Sequence, residues 1–333
     1  AGIAIILCSL EMILGILLLF GFWANKVSWG LLVLILFFTF LTFYSAFFKV
    51  VTSCGCFGDA IPLSPWQSFS KDLVLLSLIL VIFINRAHLK PVVNSQQVQK
   101  IILGISILLS FSFGLYTYNY LPILDFLPYK IGNNIPELMK FPPGAPTNVY
   151  EITYTLKNKK TGERKKMTDK AYLKTEIWKD ANWDITGDPE TKLIKEGYNV
   201  KIKDLKITDS QDVDYTSEII EHPYYNLVIV AYDLQKTDLK ALGNLNALTM
   251  NVAENYNIRT VLLTSSSVQR ATAFSKVNKL LMQFFYVDAV PLKSMVRANP
   301  GILLLKNGIV INKWHHNSIP SYDELAKTYF DKQ

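Results

Sequence analysis

The chain has 333 residues, half of them apolar, and a formal net charge of +7 from 34 basic and 27 acidic side chains. The apolar excess lies before residue 121, where six Lys/Arg and three acids stand, and no run of like charge forms a nucleic-acid-binding tail. Its three cysteines, Cys8, Cys54 and Cys56, all fall in that part, which excludes a disulfide-stapled or cysteine-zinc C-terminal domain.

A hydrocarbon core of about 30 Å takes roughly 20 apolar residues as a helix. Four stretches meet or approach that length: 1–23, 28–48, 73–84 extended by Trp66 and Phe69, and 101–120. Trp23, Trp29, Tyr116, Tyr118 and Tyr120 stand near their ends, as at a headgroup interface. Lys26, Arg86, Lys90 and Lys100 occupy one side without an acid; Lys49 and Lys71 occupy the other, balanced by Asp59 and Asp72. The first side is therefore expected in the cytoplasm, and both the Cys54 loop and the C-terminal part outside. The first of the four spans must then enter from outside. The chain opens in apolar sequence with no initiator Met or charged leader, so one further N-terminal span is expected upstream.

Residues 53–59, Ser-Cys-Gly-Cys-Phe-Gly-Asp, follow the second span. Two thiols separated by one Gly close a small, strained ring, which favours an oxidising or exchangeable pair. The readings left open are a redox pair, a disulfide that pins the loop in an oxidising compartment, and a two-thiolate metal site without a nearby His. Cys8, in mid-span, reads as a small apolar core residue. Glu11 lies near the bilayer centre and must face the bundle interior. Thr42, Tyr44 and Ser45 are its candidate partners, either in a hydrogen bond between helices or around a proton- or quinone-linked group.

The pattern Glu11-Met12-x-x-Gly15, Gly21, Cys54-Gly55-Cys56-Phe57-Gly58-Asp59 and Trp66-Gln67-Ser68-Phe69-x-Lys71 resembles the membrane part of the DoxX/MauE superfamily. It is most similar to the Bacteroidetes branch that fuses this bundle to a C-terminal domain. The resemblance implies a topology like that of vitamin K epoxide reductase relatives, with one N-terminal span more than is visible. It also implies a bacterial inner-membrane location with a periplasmic C-terminal domain. The MauE branch is associated with disulfide formation during methylamine dehydrogenase maturation. Carried over, Cys54 and Cys56 become the redox pair and Glu11 the intramembrane acid.

Beyond the bundle (residues 1–120), residues 121–147 hold six prolines and read as a semi-rigid connector, the expected place of interdomain motion. Residues 148–197 carry a hairpin: alternation over 150–156, a turn at Lys160-Thr161-Gly162, and 165–168, with Trp178, Trp183 and Ile194 expected beneath it. Residues 198–333 read as strand 226–232, helix 239–256, strand 260–264, helix 268–282, a hairpin over 301–314 around Asn307-Gly308, and helix 321–330 capped by Ser321. This order resembles a thioredoxin fold, so Asn299-Pro300 is expected to be cis. Where thioredoxins carry Cys-x-x-Cys the chain reads Asp233-Leu234-Gln235-Lys236-Thr237, which excludes thiol exchange by this domain. His315 and His316 are expected on opposite faces of a strand, solvated or facing a partner.

The expected fold is thus a membrane α-helical bundle plus an α/β thioredoxin-like extracytoplasmic domain. Two functions fit. One is a thiol–disulfide oxidoreductase or its accessory, with Cys54 and Cys56 exchanging electrons with a quinone or an envelope client protein. The other is a non-enzymatic assembly subunit bound to a membrane complex partner, its cysteine pair structural. Few polar residues line the spans and no repeat is visible, which disfavours a transporter.

Overall fold

A computed structural model describes the chain except for residues 1, 51–59, 62, 196, 204, 332 and 333. Four helices are long and apolar enough to cross a bilayer: α1 (Gly2–Leu19), α2 (Ala24–Phe48), α3 (Pro65–Ile84) and α4 (Gln96–Asn119). The α1–α2 turn rests on Gly21 at φ 66°, where a Cβ would stand 2.6 Å from the Lys90 carbonyl oxygen. That close approach seats the fully buried Phe22 between Leu17 and Val27. A Cβ on Gly30 would meet Leu14 at 3.3 Å, and one on Gly114 would meet Ile5 at 2.8 Å. Small residues at these crossings let α2 and α4 run antiparallel to α1. The C-terminal ends of α2 and α4 therefore lie at the end of the bundle where α1 begins. Val33, Phe40 and Leu108 point outward and are exposed, as lipid-facing side chains must be.

The start of α3 is written in its cap. Ser64 Oγ accepts the backbone N–H of Gln67, the Gln67 side chain accepts the Ser64 N–H, and Pro65 occupies the first helical position. Lys71 and Asp72 consequently lie inside the span and not in the preceding loop. The charge asymmetry behind the orientation survives the change, since the basic side never depended on them.

After α4 the chain enters no free spacer. Leu127, Tyr129 and Ile135 are buried. Gly132 N–H donates to the Val310 carbonyl at 2.8 Å, Val310 N–H to Asn133 at 3.0 Å, and Ile135 N–H to Gly308 at 2.8 Å. The first half of the expected connector is thus laced along a strand edge at residues 132–135, because its apolar side chains find a core there.

Residues 136–204 form a compact unit of their own. After helix α5 (Ile135–Met139), strand β1 (Val149–Asn158) pairs antiparallel with β2 (Arg164–Thr168) on one side. On its other side stand β3 (Trp183–Ile185) and β4 (Glu190–Lys195). Helix α6 (Asp169–Thr175) follows β2 and is capped by Thr168. Asn158 Oδ1 accepts the N–H groups of Lys160 and Thr161, which sets the expected hairpin turn. Leu156 and Met167 are buried, but Trp178 and Ile194 are more than half exposed. They do not lie beneath the hairpin, because this small sheet has too little helix to cover both faces.

The C-terminal fold begins with helix α7 (Thr216–Ile220) and continues β5 (Asn226–Val230), α8 (Leu239–Tyr256), β6 (Arg259–Thr264), α9 (Val268–Asn278) and β7 (Gln283–Tyr286). It closes with α10 (Ala289–Met295), β8 (Gly301–Lys306), β9 (Ile309–His315), α11 (Tyr322–Leu325) and a π-helical turn, Ala326–Phe330. The sheet order is β7-β6-β5-β8-β9, with β5, β6 and β7 parallel and the β8–β9 hairpin antiparallel to them. This arrangement, with a cis Asn299–Pro300 bond ahead of β8, is thioredoxin-like. β5 and β6 are buried along nearly their whole length, as helix-covered parallel strands are. The Asn307-Gly308 turn has both residues at positive φ, 49° and 78°. The helix expected over 268–282 ends at Asn278, capped by Lys279 at φ 49°, and the short strand β7 that follows was not anticipated.

Candidate functional site

Ionisable side chains cluster at a cavity among α1, α2 and α3. Thr42 Oγ1 donates to Asp72 Oδ2 at 2.9 Å, and Lys71 Nζ stands 3.0 Å from Asp72 Oδ1. Both oxygens of Asp72, a residue only 2% exposed, are engaged. Glu11 and Cys8 of α1 line the same cavity, whose volume is about 370 Å³ and whose remaining wall is apolar, including Ile35, Phe38 and Leu75. Helical spacing explains the convergence. Cys8 and Glu11 are three apart on one face of α1, while Thr42 and Asp72 sit at matching depths on antiparallel neighbours.

The expected residues are distributed as follows. Glu11 lies on the cavity, but Thr42, one of its candidate partners, bonds Asp72 instead, and Lys71 shares the cavity with it. Cys8 is exposed and lines the cavity; it is not a packed core residue. Cys54 and Cys56 lie outside the described residues. By chain position they belong to the segment joining α2, which ends at Phe48, to α3, which begins at Pro65. Lys71 and Asp72 are the members that sequence reading had assigned to that loop. The signal was present in the Ser64-Pro65-x-Gln67 cap, which starts the helix before them.

The arrangement brings a carboxylate paired with Lys71, a second carboxylate and a thiol to an otherwise greasy chamber, with the Thr42 hydroxyl bonded to Asp72. In a bilayer such groups persist only when paired or when they serve a reaction. Among the described residues no three His, Cys, Asp or Glu side chains converge as metal ligands.

In the thioredoxin-like domain, the loop after β5 is tied shut by polar side chains. Asn299 Nδ2 donates to the Asp233 carbonyl at 2.7 Å, and Thr237 Oγ1 reaches that carbonyl at 2.8 Å and Asn299 Oδ1 at 3.2 Å. These bonds occupy the place next to the cis-proline where a dithiol would stand.

His315 departs from expectation. The strand ends at this residue and His316 opens a 3₁₀ turn, so the two rings meet at 4.0 Å instead of pointing apart. His315 is 3% exposed, its Nδ1 accepts the Asn317 N–H at 3.1 Å, and Tyr120 lies 6.4 Å from its ring. Burial, with a smaller contribution from His316, pushes its pKa down to about 4. Lys313, two residues earlier, forms a buried ion pair with Asp125. Burial pulls the lysine below its ordinary value while Asp125 opposes that fall.

Residues 1–85 match the family model of the methylamine utilisation protein MauE. The matched stretch spans α1 to α3 and contains Glu11, Thr42, Cys54, Cys56, Lys71 and Asp72. No curated protein matches the chain. Among solved structures, a cysteine-to-serine mutant of PrxQ from Xylella fastidiosa is 12% identical, with a TM-score of 0.28, covering 38% of this chain and 87% of that one. The mitochondrial 2-Cys peroxiredoxin from Plasmodium falciparum is 14% identical, with a TM-score of 0.25, covering 55% of this chain and 90% of that one. The strand order described above, and not these likenesses, carries the fold. The protein is a multi-pass membrane protein: a MauE-like helical region joined to a thioredoxin-like domain.

Proposed function

We propose that this MauE-like protein is a thiol–disulfide oxidoreductase of the bacterial inner membrane, or an accessory of one, supporting disulfide maturation of envelope proteins. Cys54 and Cys56 are its reacting pair, and the thioredoxin-like domain is a periplasmic docking module for client proteins. The observation that carries this reading is the Glu11–Lys71–Asp72 cluster on a cavity at the helices that flank the Cys54–Cys56 segment. Oxidising the two thiols forms one S–S bond and releases two electrons and two protons. An apolar chamber with a lysine at its wall fits a quinone ring, which when bound supplies the two-electron, two-proton acceptor. Around it, Lys71 and Thr42 hold Asp72, and the apolar wall excludes bulk water.

The polar ties around Asn299 favour docking over catalysis in the C-terminal domain. They equally suit a non-enzymatic assembly subunit in which the cysteine pair only braces its loop. Thiol trapping in membranes separates the two. The oxidoreductase reading expects Cys54 and Cys56 to become reduced when quinone is depleted and to be reoxidised on adding it. Cysteines that stay oxidised whatever the quinone, together with a Cys54→Ser/Cys56→Ser protein that loses stability but not function, would leave only the assembly role.

A further inference from the structure

Between the cavity and the facing ends of α2 (Phe48) and α3 (Pro65), the α2–α3 interface carries hydroxyls in register. On α3 and its cap, Ser64, Ser68 and Asp72 are spaced by four; on α2, Thr42 and Ser45 are spaced by three, and Lys49 caps the helix four residues on. Such spacings align side chains along one helix face. The Thr42–Asp72 bond joins the two rows at the inner end. Asp72 lies seven residues past Pro65, about 10 Å below the start of the helix. Ser68 is fully buried, and neither its Oγ nor the buried Oγ of Ser45 has a hydrogen-bond partner among the described residues. A buried hydroxyl without a protein partner calls for a water, and a hydroxyl both gives and takes a proton. Phe43 and Phe69, 5.5 Å apart, pack between the same two helices.

We propose that this α2–α3 seam is a hydrated proton path linking the outer helix ends to Asp72 and Glu11. The charged and titratable groups facing it are Lys49 at its mouth and Asp72, Lys71, Glu11 and Cys8 at its inner end. Its use, removing the two protons shed when Cys54 and Cys56 join, rests on the function proposed above; its existence does not.

Cys8 is a built-in reporter. In the Cys54→Ser/Cys56→Ser form of the 333-residue chain, reconstituted in liposomes, Cys8 is the sole thiol. Ag⁺ is small and charged, and so is excluded from lipid. Added at the face bearing the α2–α3 loop, it is expected to reach Cys8 and protect it from later alkylation after denaturation, read by mass. Ser68→Leu, and independently Ser45→Val, should slow that protection by about tenfold, since a methylated seam holds no water. The two variants guard against a fold defect in either one. A Cys8 that Ag⁺ never protects, or one protected equally fast in both variants, overturns the path. Because the reacting pair is absent, that failure leaves the oxidoreductase reading to the thiol-trapping result alone.

Discussion

Thr42 of α2 and Asp72 of α3 share a 2.9 Å hydrogen bond inside the bundle, and Lys71 closes on the other oxygen of the same carboxylate. One helix thus supplies an ion pair between sequence neighbours and the other supplies the hydroxyl that completes it.

Removing one partner should cost more than removing both charges. Asp72→Ala leaves Lys71 without its neighbouring carboxylate in a low-dielectric site and is expected to destabilise the protein by about 3 kcal/mol. The Lys71→Met/Asp72→Leu double variant should lose clearly less. Unfolding of the purified protein in mild detergent, titrated with denaturing detergent, measures both. Equal losses in the two proteins would mean that the pair is not coupled.

His315 makes stability fall with acid. Its folded pKa is about 4, against an ordinary value near 6.5. The unfolded chain therefore binds a proton that the folded one refuses, and the His315 contribution is whole above pH 6.5 and lost as pH falls toward 4. Screening by solvent keeps the change on the order of 2 kcal/mol. Thermal unfolding followed between pH 4 and 7 should show this slope, and His315→Gln should flatten it.

The Lys313–Asp125 pair fastens the segment after α4 to β9. Lys313→Met strands a mostly buried carboxylate and is expected to cost about 2 kcal/mol. The segment beside it contains the exposed Lys130. Tryptic cleavage after Lys130 should accelerate in Lys313→Met and in Asp125→Ala relative to the parent. Unchanged cleavage would show that the backbone bonds to Val310 and Gly308 hold the segment unaided.

What could be read without coordinates was local. The Asn307-Gly308 turn and the Ser321 cap each follow from two to four neighbouring residues, whereas the cis Asn299–Pro300 bond followed from the order of elements around it. Glu11 stood out because a carboxylate among leucines has no other excuse. Lys71 and Asp72 were missed because a charge near a helix end resembles a loop charge, and only the Ser64 cap fixes where that end falls. The packing of residues 121–135, the first half of the connector, was not legible for a different reason. Its prolines are local, whereas the core that buries Leu127, Tyr129 and Ile135 lies across the fold. His315 is the same case, since its burial depends on Tyr120 and on the strand ending one residue earlier than alternation suggests.

The Thr42–Asp72 bond also bears on how the bundle is made. An Asp or Lys near a helix centre opposes insertion by roughly 2.5 to 3.5 kcal/mol on the translocon scale. α3 carries one of each, adjacent, and the hydroxyl that completes their coordination belongs to the helix synthesised just before it. A ribosome-bound α3 offered alone to the translocon is therefore a poor substrate, while α2 and α3 offered together as a hairpin are not. The residues that make the chamber polar thereby favour insertion of α2 and α3 as a pair.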